Sequence, residues 1–414
     1  MPFEAMRHAI YTFVILFQVQ FVFTQNAKVV PLIAEIQLND RLQIQVSASL
    51  AKKNPKAPIT IYNGKEVYQL SVKKRLGDTI IYQFPAQDAE WRLTFAHDLS
   101  EARGWWINYN KKVPVRYPIH LHNGILKQPE PAPSQLNISG KWRVVFNPNT
   151  PNEEVLVGVF EQNIGNFVTG SFLSETGDYR YLNGHVVGNA IHLQTYTGYW
   201  AFVVEATLQS ADKMMGNFYS GASYNAPFVA YRDSTVQLRD ESSLTYLIKR
   251  DEPLVLQELI KMNGRKKTID FSSQKELTLI QIMGTWCPNC LDETKLLQAL
   301  HAEYGSKGLH VVALAFEVGA DTKKQRTRLK QWVKSMKVSY PVYLAGTSSK
   351  DVASARFPML NGIMSFPTSI LVDQQGKIIA IHTGFSGPAT GEAYIELVNK
   401  YRQEIDSALE LSKP

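Results

Sequence analysis

Residues 277–297 read LTLIQIMGTWCPNCLDETKLL, and this stretch decides the fold of the C-terminal part of the chain. An apolar run typical of a buried strand ends at Gly284, and a helical pattern begins directly after Cys287. Pro288 suits the first turn of a helix, where its missing N–H is not needed. The pattern therefore places Cys287 at a helix N-terminus and Cys290 one turn further along.

The position of the two cysteines predicts redox chemistry. They are the only cysteines among 414 residues. Free N–H groups and the positive end of the helix dipole favour a thiolate at Cys287, while Cys290 should lie further inside. An exposed, acidified nucleophile beside a buried resolving thiol is what thiol–disulfide exchange requires.

Other uses of a Cys-x-x-Cys pair fit this sequence less well. A disulfide that closes so short a loop gains little chain entropy, although a purely structural pair stays open. A zinc site needs four ligands, and the sequence has neither a second Cys pair nor a His pair at metal spacing. Haem attachment needs His after the second Cys, where Leu291 stands. We therefore expect no metal and no cofactor besides the Cys287–Cys290 disulfide.

The N-terminus is typical of a secretory signal peptide. Arg7 and His8 precede the apolar run AIYTFVILFQVQFVFT, which is followed by polar residues. The run is short for a spanning helix. We expect residues 1–27 to be a signal peptide and the protein to be periplasmic or otherwise exported. An uncleaved signal would leave it anchored in a membrane.

Residues 28–240 are predicted to form a β-rich domain, either an antiparallel barrel or a sandwich. Strand-length runs such as LQIQVSASL and YWAFVVEATL alternate with Gly, Asn, Asp and Pro turns. A Pro-rich stretch joins two halves at 127–136, so the sequence leaves open whether this region is one domain or two. Residues 104–119 and 216–228 share a faint sequence echo: a Gly followed closely by an aromatic residue, and then an x-Pro-x triplet. Two explanations stay open, a duplicated hairpin inside one barrel and chance similarity.

Residues 241–414 alternate strand and helix patterns, which predicts an α/β layer with a mixed sheet. LVLQELIKMNG, residues 254–264, is predicted to be a helix ending at Gly264. The strands LTLIQIM and LHVVALAFE and three later helices follow from the same pattern.

The motifs of this part resemble a known family. GTWCPNC at a strand–helix junction, with SFPTSILVD downstream, is similar to the thioredoxin-fold pattern, and more closely to the exported TlpA-like thiol–disulfide oxidoreductases. The resemblance covers about residues 250–414. It implies that Pro367 is cis and lies against the disulfide, and that the backbone of Phe366 pairs with an extended substrate chain.

The sequence departs from thioredoxins beside the cysteines. Gln281 stands where thioredoxins carry a buried Asp that handles a proton, and Gln cannot titrate. Glu317, at the end of the next parallel strand, and Glu293, in the second helical turn, are the candidates to replace it. Each has an ordinary alternative: a polar strand end for Glu317 and a solvated helix face for Glu293. Trp286 is expected to shield the disulfide, although a core role stays open.

The leading hypothesis is an exported thiol–disulfide oxidoreductase that reduces disulfides of exported proteins. It needs an electron-donor protein, which a membrane protein could supply. The alternative is a carbohydrate- or lipid-binding barrel with an accessory thioredoxin domain. It would use exposed aromatic side chains, and its candidates are Trp105, Trp106, Tyr199 and Trp200. The ordinary interpretation of these four residues is core packing of short strands. The net charge of +7 is spread along the chain, so we expect no nucleic-acid partner.

Overall fold

The computed structural model describes residues 29–51, 54–111, 113–126, 136–163, 165–249 and 252–411. The predicted signal peptide and most of the Pro-rich stretch lie outside these residues. The described chain forms two β barrels and one α/β unit. The β-rich and α/β fold classes expected from the sequence are thus confirmed.

The first barrel is a closed ring of eight antiparallel strands. Its strands are β1 (Val29–Gln37), β2 (Gln43–Ala51), β3 (Ile59–Asn63), β4 (Glu66–Leu76), β5 (Thr79–Gln83), β6 (Ala89–Phe95), β7 (Glu101–Asn108) and β8 (Val115–Asn123). Alternating burial along strands such as β2 turns one side chain in two toward the core. Pairing of β1 with β8 closes the ring, which leaves no free sheet edge.

The second barrel repeats this design. Its strands are β9 (Gly140–Phe146), β10 (Glu154–Gln162), β11 (Phe167–Ser174), β12 (Gly177–Asp178), β13 (Leu182–Val187), β14 (Ala190–Tyr196), β15 (Ala201–Ser210), β16 (Lys213–Ser220) and β17 (Tyr224–Arg232). Eight strands close through the β9–β17 and β10–β11 pairings. The two-residue β12 is additional and lies beside β11, in the connection between the third and fourth ring strands.

The sequence echo marks the same hairpin in each barrel. In the β7–β8 pair, Gly104 is opposite Ile119 and Trp105 is opposite Pro118. In the β16–β17 pair, Gly216 is opposite Phe228 and Asn217 is opposite Pro227. Both hairpins are formed by the seventh and eighth ring strands. The expectation of a duplicated hairpin inside one barrel was wrong, because the two copies belong to two barrels.

The α/β unit is built on one mixed sheet of seven strands in the order β19-β18-β22-β21-β20-β23-β24. The strands are β18 (Val255–Ile260), β19 (Lys266–Asp270), β20 (Leu277–Met283), β21 (Leu309–Glu317), β22 (Val342–Thr347), β23 (Thr368–Val372) and β24 (Ile378–Thr383). The helices are α1 (Phe271–Gln274), α2 (Pro288–Tyr304), α3 (Thr322–Met336), α4 (Lys350–Ser354) and α5 (Glu392–Leu411). Short 3₁₀ turns span Glu241–Ser243, Gly305–Lys307 and Pro388–Thr390.

The helix predicted over residues 254–264 is a strand instead. Leu256 and Leu259 are both buried in β18, and Glu258 between them adopts a positive φ of 54°. The register shifts between these two leucines, so one extra residue bulges out of the strand. This bulge changes the two-residue spacing of a strand into the three-residue spacing of a helix, which is why the pattern misled.

The barrels pack against each other through aromatic side chains. Trp106 of the first barrel stacks on Tyr117, with ring centroids 4.9 Å apart, and meets the ring of Tyr196 from the second barrel at 4.9 Å. Trp91 Nε1 donates a hydrogen bond of 2.7 Å to the Tyr196 hydroxyl. The barrels therefore share one apolar core at this contact. Of the helices in the described ranges, none is both long and apolar enough to span a bilayer.

Candidate active site

The two cysteines lie where the central strand β20 meets helix α2. All seven residues of β20 are buried, which fixes the start of the following loop. Cys287 is the N-cap of α2, and its Sγ accepts the N–H of Cys290 at 3.1 Å. The residues are joined by a disulfide, with their Cα atoms 5.2 Å apart. The helix terminus therefore directs the N–H of Cys290 at the sulfur of Cys287, which lies at the helix N-terminus as the sequence pattern predicted.

The peptide bond between Phe366 and Pro367 is cis and lies beside the disulfide. The Sγ of Cys287 is 3.4 Å from the carbonyl oxygen of Phe366. The ring of Trp286 meets that of Phe366 edge-on at 5.3 Å, and Trp286 Nε1 donates to the Phe316 carbonyl at 2.7 Å. The structure thus brings together Trp286, Cys287, Phe366 and Pro367.

Glu293 is fully buried one turn after Cys290. Gln281 Nε2 donates to Glu293 Oε2 at 2.8 Å and to the Cys290 carbonyl at 3.1 Å. Tyr401 from α5 donates to Glu293 Oε1 at 3.1 Å. Burial raises the pKa of the Glu293 carboxyl to about 7, against the hydrogen bonds from Gln281 and Tyr401. The alternative of a solvated helix-face residue is wrong, because α5 covers this side of α2.

Glu317 is also fully buried, but it holds the loop before Cys287. Its Oε1 accepts the backbone N–H of Thr285 at 2.8 Å, and its Oε2 accepts the Thr285 hydroxyl at 2.7 Å. Arg328 Nη1 lies 3.5 Å from Oε2. Burial raises the pKa of Glu317, opposed by these partners. Both oxygens of Glu317 therefore already have partners in the loop and in α3.

The second barrel covers the redox centre, which the sequence did not indicate. Cys287 is only 7% exposed and Cys290 is 0% exposed. The expectation of an exposed nucleophile was therefore too simple, because β12 and the loop before β15 lie over the disulfide. Tyr199 and Trp200 of that loop line a cleft that reaches Cys287 and Trp286.

Arg180, which follows β12, fastens this barrel to the start of α2. It is 1% exposed, and its Nη1 lies 2.7 Å from Asp292 Oδ2 and donates to the Pro288 carbonyl at 2.8 Å. Its Nη2 pairs with Glu66 of the first barrel. Arg180 thus joins both barrels to the active-site helix. Its sequence neighbourhood carries no motif, and residues 108 positions apart meet only after folding.

The aromatic candidates of the alternative hypothesis separate into different environments. Trp105 is 42% exposed on the first barrel, with Arg116 stacked over its ring. Trp106, which the alternative hypothesis requires to be exposed, is buried in the contact between the barrels, as the core-packing interpretation of these aromatic residues predicts. Tyr199 and Trp200 lie at the redox centre instead. The four side chains therefore do not form one ligand site.

The chemistry of this site depends on its sulfur atoms. Within the part of the chain that the structure describes, no group of three or more His, Cys, Asp or Glu side chains is placed to hold a metal ion. The arrangement can carry out nucleophilic attack by Cys287 and resolution by Cys290, with a buried carboxyl close to the second cysteine.

Comparison with known proteins supports this assignment of the C-terminal unit. The Redoxin family model matches residues 249–395. "Thiol-disulfide oxidoreductase ResA" of Halalkalibacterium halodurans is 25% identical over 119 residues, which are 29% of this chain and 60% of that protein. "Thioredoxin-like protein YneN" of Bacillus subtilis is 27% identical over 30% of this chain and 65% of that protein. "Thiol:disulfide interchange protein DsbE" of Escherichia coli is 27% identical over 38% of this chain and 77% of that protein.

The chain therefore spans 60% and 65% of the length of the first two relatives. A solved structure described as a putative thiol:disulfide interchange protein DsbE, from Chlorobium tepidum, is 24% identical, with a TM-score of 0.29 over 39% of this chain and 99% of that one. The cysteine pair and the cis peptide bond of Pro367 both lie within the residues that the family model matches. Residues 249–395 form a Redoxin domain with the thioredoxin fold, similar in sequence to ResA, YneN and DsbE.

Proposed function

We propose that this chain is an exported thiol–disulfide oxidoreductase that reduces disulfide bonds in exported proteins. The observation that carries the proposal is the Cys287–Cys290 disulfide at the N-terminus of α2, facing the cis peptide bond of Pro367. The names of the relatives, thiol-disulfide oxidoreductase and thiol:disulfide interchange protein, support the same activity.

In the proposed reaction, the Cys287 thiolate attacks one sulfur of a substrate disulfide. A mixed disulfide forms and the other substrate sulfur leaves as a thiolate, which takes up a proton. The Cys290 sulfur then attacks Cys287 Sγ, so the second substrate thiol leaves and the Cys287–Cys290 disulfide forms. Two electrons pass from the enzyme dithiol to the substrate, and a donor dithiol protein returns them by the reverse exchange.

Cys290 must lose its proton before it attacks, and Glu293 is the proposed acceptor. Its carboxyl has a pKa near that of an activated thiol, and Gln281 links it to the Cys290 backbone. Glu317 is the weaker candidate, because Thr285 and Arg328 occupy its oxygens. Pro367 and Phe366 would place the substrate chain, and Trp286 and Pro288 would shield and shape the disulfide.

The direction of transfer and the location complete the proposal. The resemblance to exported reductases favours reduction over oxidation, with an electron donor that is itself exported or membrane-bound. Export rests on the signal-like pattern of residues 1–27. A midpoint potential near that of strong dithiol oxidants, about −120 mV, would contradict the reductive direction.

The test uses a linear peptide whose single cysteine is linked to glutathione by a disulfide, with dithiothreitol as the electron source. We expect the wild-type protein to accelerate release of the peptide thiol and Cys287→Ser to leave it at the uncatalysed rate. Pre-reduced Cys290→Ser, freed of dithiothreitol before the peptide is added, should accumulate a mixed disulfide on Cys287, which mass spectrometry detects. A wild-type rate equal to the rate without protein would overturn the proposed function.

A further inference from the structure

A narrow cleft leads to Cys287 between the Redoxin domain and the second barrel. Its volume is about 250 Å³. The barrel supplies one wall, with the aromatic side chains Tyr179, Tyr199 and Trp200, and the Redoxin domain supplies the other, with Trp286, Cys287 and Phe366. The redox centre is therefore reached between two different folding units.

Hydrogen bonds hold β12 against the wall of the Redoxin domain. Ser365 Oγ, next to the cis peptide segment, donates to the Thr176 carbonyl at 2.8 Å. Asn289 Nδ2 donates to the Asp178 carbonyl at 3.2 Å, and the buried Asp178 Oδ2 accepts the N–H of Gly387 at 2.6 Å. With the ion pairs of Arg180, these bonds fix the width of the cleft.

The dimensions of the cleft limit what can approach Cys287. A folded protein that docks on another typically covers about 800 Å² on each partner. With the barrel over the disulfide, a partner of that size has no such surface at Cys287, which is 7% exposed. A single extended chain of a few residues is slender enough to enter.

The walls also favour particular side chains beside the substrate cysteine. Tyr199 and Trp200 have ring centroids 5.8 Å apart, and both backbone N–H groups donate to Thr197 Oγ1, which fixes the loop. Trp286 and Phe366 face the cleft from the other domain. Aromatic rings on both sides stabilise apolar or aromatic side chains between them.

We infer that the second barrel is a substrate filter, in which Tyr199 and Trp200 select extended, apolar-flanked cysteine segments and the barrel wall excludes folded proteins. This inference rests on the proposed function, because the filter acts on the substrate of the Cys287–Cys290 pair. Tyr199 and Trp200 are specificity-determining residues that contact, from the barrel wall, the side chains next to the substrate cysteine.

The experiment compares three glutathionylated substrates with pre-reduced protein: a linear peptide with aromatic neighbours of the cysteine, the same peptide with Gly and Ser neighbours, and a folded protein with one surface cysteine. We expect wild-type kcat/KM to be about tenfold higher for the aromatic peptide than for the Gly/Ser peptide, and lowest for the folded protein. Trp200→Ala should reduce the preference between the peptides by about tenfold, a change of about 1.4 kcal/mol.

Trp105→Ala is the matched control, since Trp105 is an exposed tryptophan of the other barrel. Trp200→Phe should restore most of the preference. Oxidised 2-mercaptoethanol is a small disulfide without aromatic groups, so its reduction reports on the cysteines alone. If the wild type does not reduce it, the proposed function fails, and not only the filter. Equal rates on the linear peptides and the folded protein, or an unchanged preference in Trp200→Ala, would overturn the filter.

Discussion

Glu293 and His382 are two buried ionisable residues whose pKa values are raised above their ordinary values. Both lie around Tyr401, which donates to Glu293 and stacks on His382 with centroids 4.1 Å apart. Nδ1 of His382 is 3.1 Å from Glu241 and Nε2 is 2.7 Å from Glu404. Tyr401 thus connects Glu293 of α2 to His382 and its two carboxylate partners.

The resolving step should depend on ionisation of Glu293. The carboxylate accepts a proton only when ionised, so the rate of resolution in wild type should rise with pH through about 7. We expect Glu293→Gln to slow this step on the order of a hundredfold and to remove the inflection near pH 7. Stopped-flow decay of the mixed disulfide across pH 5–9 measures it.

Glu317→Gln is the control for that change, because Glu317 is equally buried but bonds the loop of Thr285. Its inflection near pH 7 should remain, whatever the overall rate. An unchanged pH profile in Glu293→Gln would show that another group takes the proton.

His382 should stabilise the fold below neutral pH. Burial lowers its pKa, but hydrogen bonds to Glu241 and Glu404 outweigh burial and raise the pKa to about 9 from an ordinary value of 6.5. The folded state therefore holds the proton more tightly, so the stabilisation is complete below pH 6.5 and is lost as pH rises through about 9. It amounts to about 3 kcal/mol from this shift.

Denaturant unfolding of wild type and His382→Gln at pH 6 and at pH 10 tests this prediction. Wild type should have a higher free energy of unfolding than His382→Gln at pH 6, where the imidazole is charged. This difference should be smaller at pH 10, where the imidazole is neutral. A constant difference across this range would mean that the imidazolium is not what stabilises the network.

At the scale of elements, the connection between β12 and β13 joins three folding units. Arg180 pairs with the buried Asp292 and the half-buried Glu66 while it is 1% exposed. Its replacement removes the buried cation that both carboxylates share and leaves Asp292 only the partly exposed Lys295. Arg180→Met should therefore cost about 3–5 kcal/mol in free energy of unfolding. Chemical denaturation at pH 7 measures the loss.

Arg239→Met is the matched control, because Arg239 pairs with Glu175 at the surface, where its side chain is 69% exposed. We expect that variant to unfold almost as the wild type does. If Arg180→Met is equally harmless, the barrel is not held on α2 by this ion pair.

Some elements follow from local sequence, and others depend on distant contacts. Pro288 after Cys287 predicted the helix start correctly, because N-cap and first-turn preferences are local. The bulge at Glu258 hid the strand β18, since its φ is set by the neighbouring strand. The cis state of Pro367 came from the family resemblance, as local sequence does not set it.

The cleft wall was not predictable for the same reason. β12 is two residues long, too short for any periodic pattern, and its role exists only once Thr176 and Ser365 meet. Glu293 gave no local sign of its burial either, because Tyr401 from the last helix covers it.

At the scale of the whole molecule, each barrel depends on a glycine in its own seventh ring strand. A Cβ on Gly104 would lie 1.8 Å from the Arg92 carbonyl oxygen, and one on Gly216 would lie 2.3 Å from that of Glu205. Both carbonyls belong to the sixth ring strand. Gly104→Ala and Gly216→Ala should each destabilise the protein by about 1–3 kcal/mol, because the backbones must move apart.

Gly305→Ala serves as the control, since its Cβ would approach no closer than 3.5 Å to the ring of His301. Thermal unfolding followed by tryptophan fluorescence should rank Gly305→Ala nearest to wild type. A Gly216→Ala protein as stable as Gly305→Ala would argue against the close strand approach in the second barrel.

The seventh and eighth strands pair in the same register, relative to the Gly and x-Pro-x positions, in both barrels. The connection between the third and fourth strands differs: Gly64 and Lys65 suffice in the first barrel, whereas residues 175–181, with β12, fill this place in the second. One barrel thus has a tight turn at this place, whereas the other has a longer loop that reaches the redox centre. A change in the length of this loop would reshape one wall of the cleft beside Tyr199 and Trp200, while Cys287 and Cys290 on the other side stay as they are.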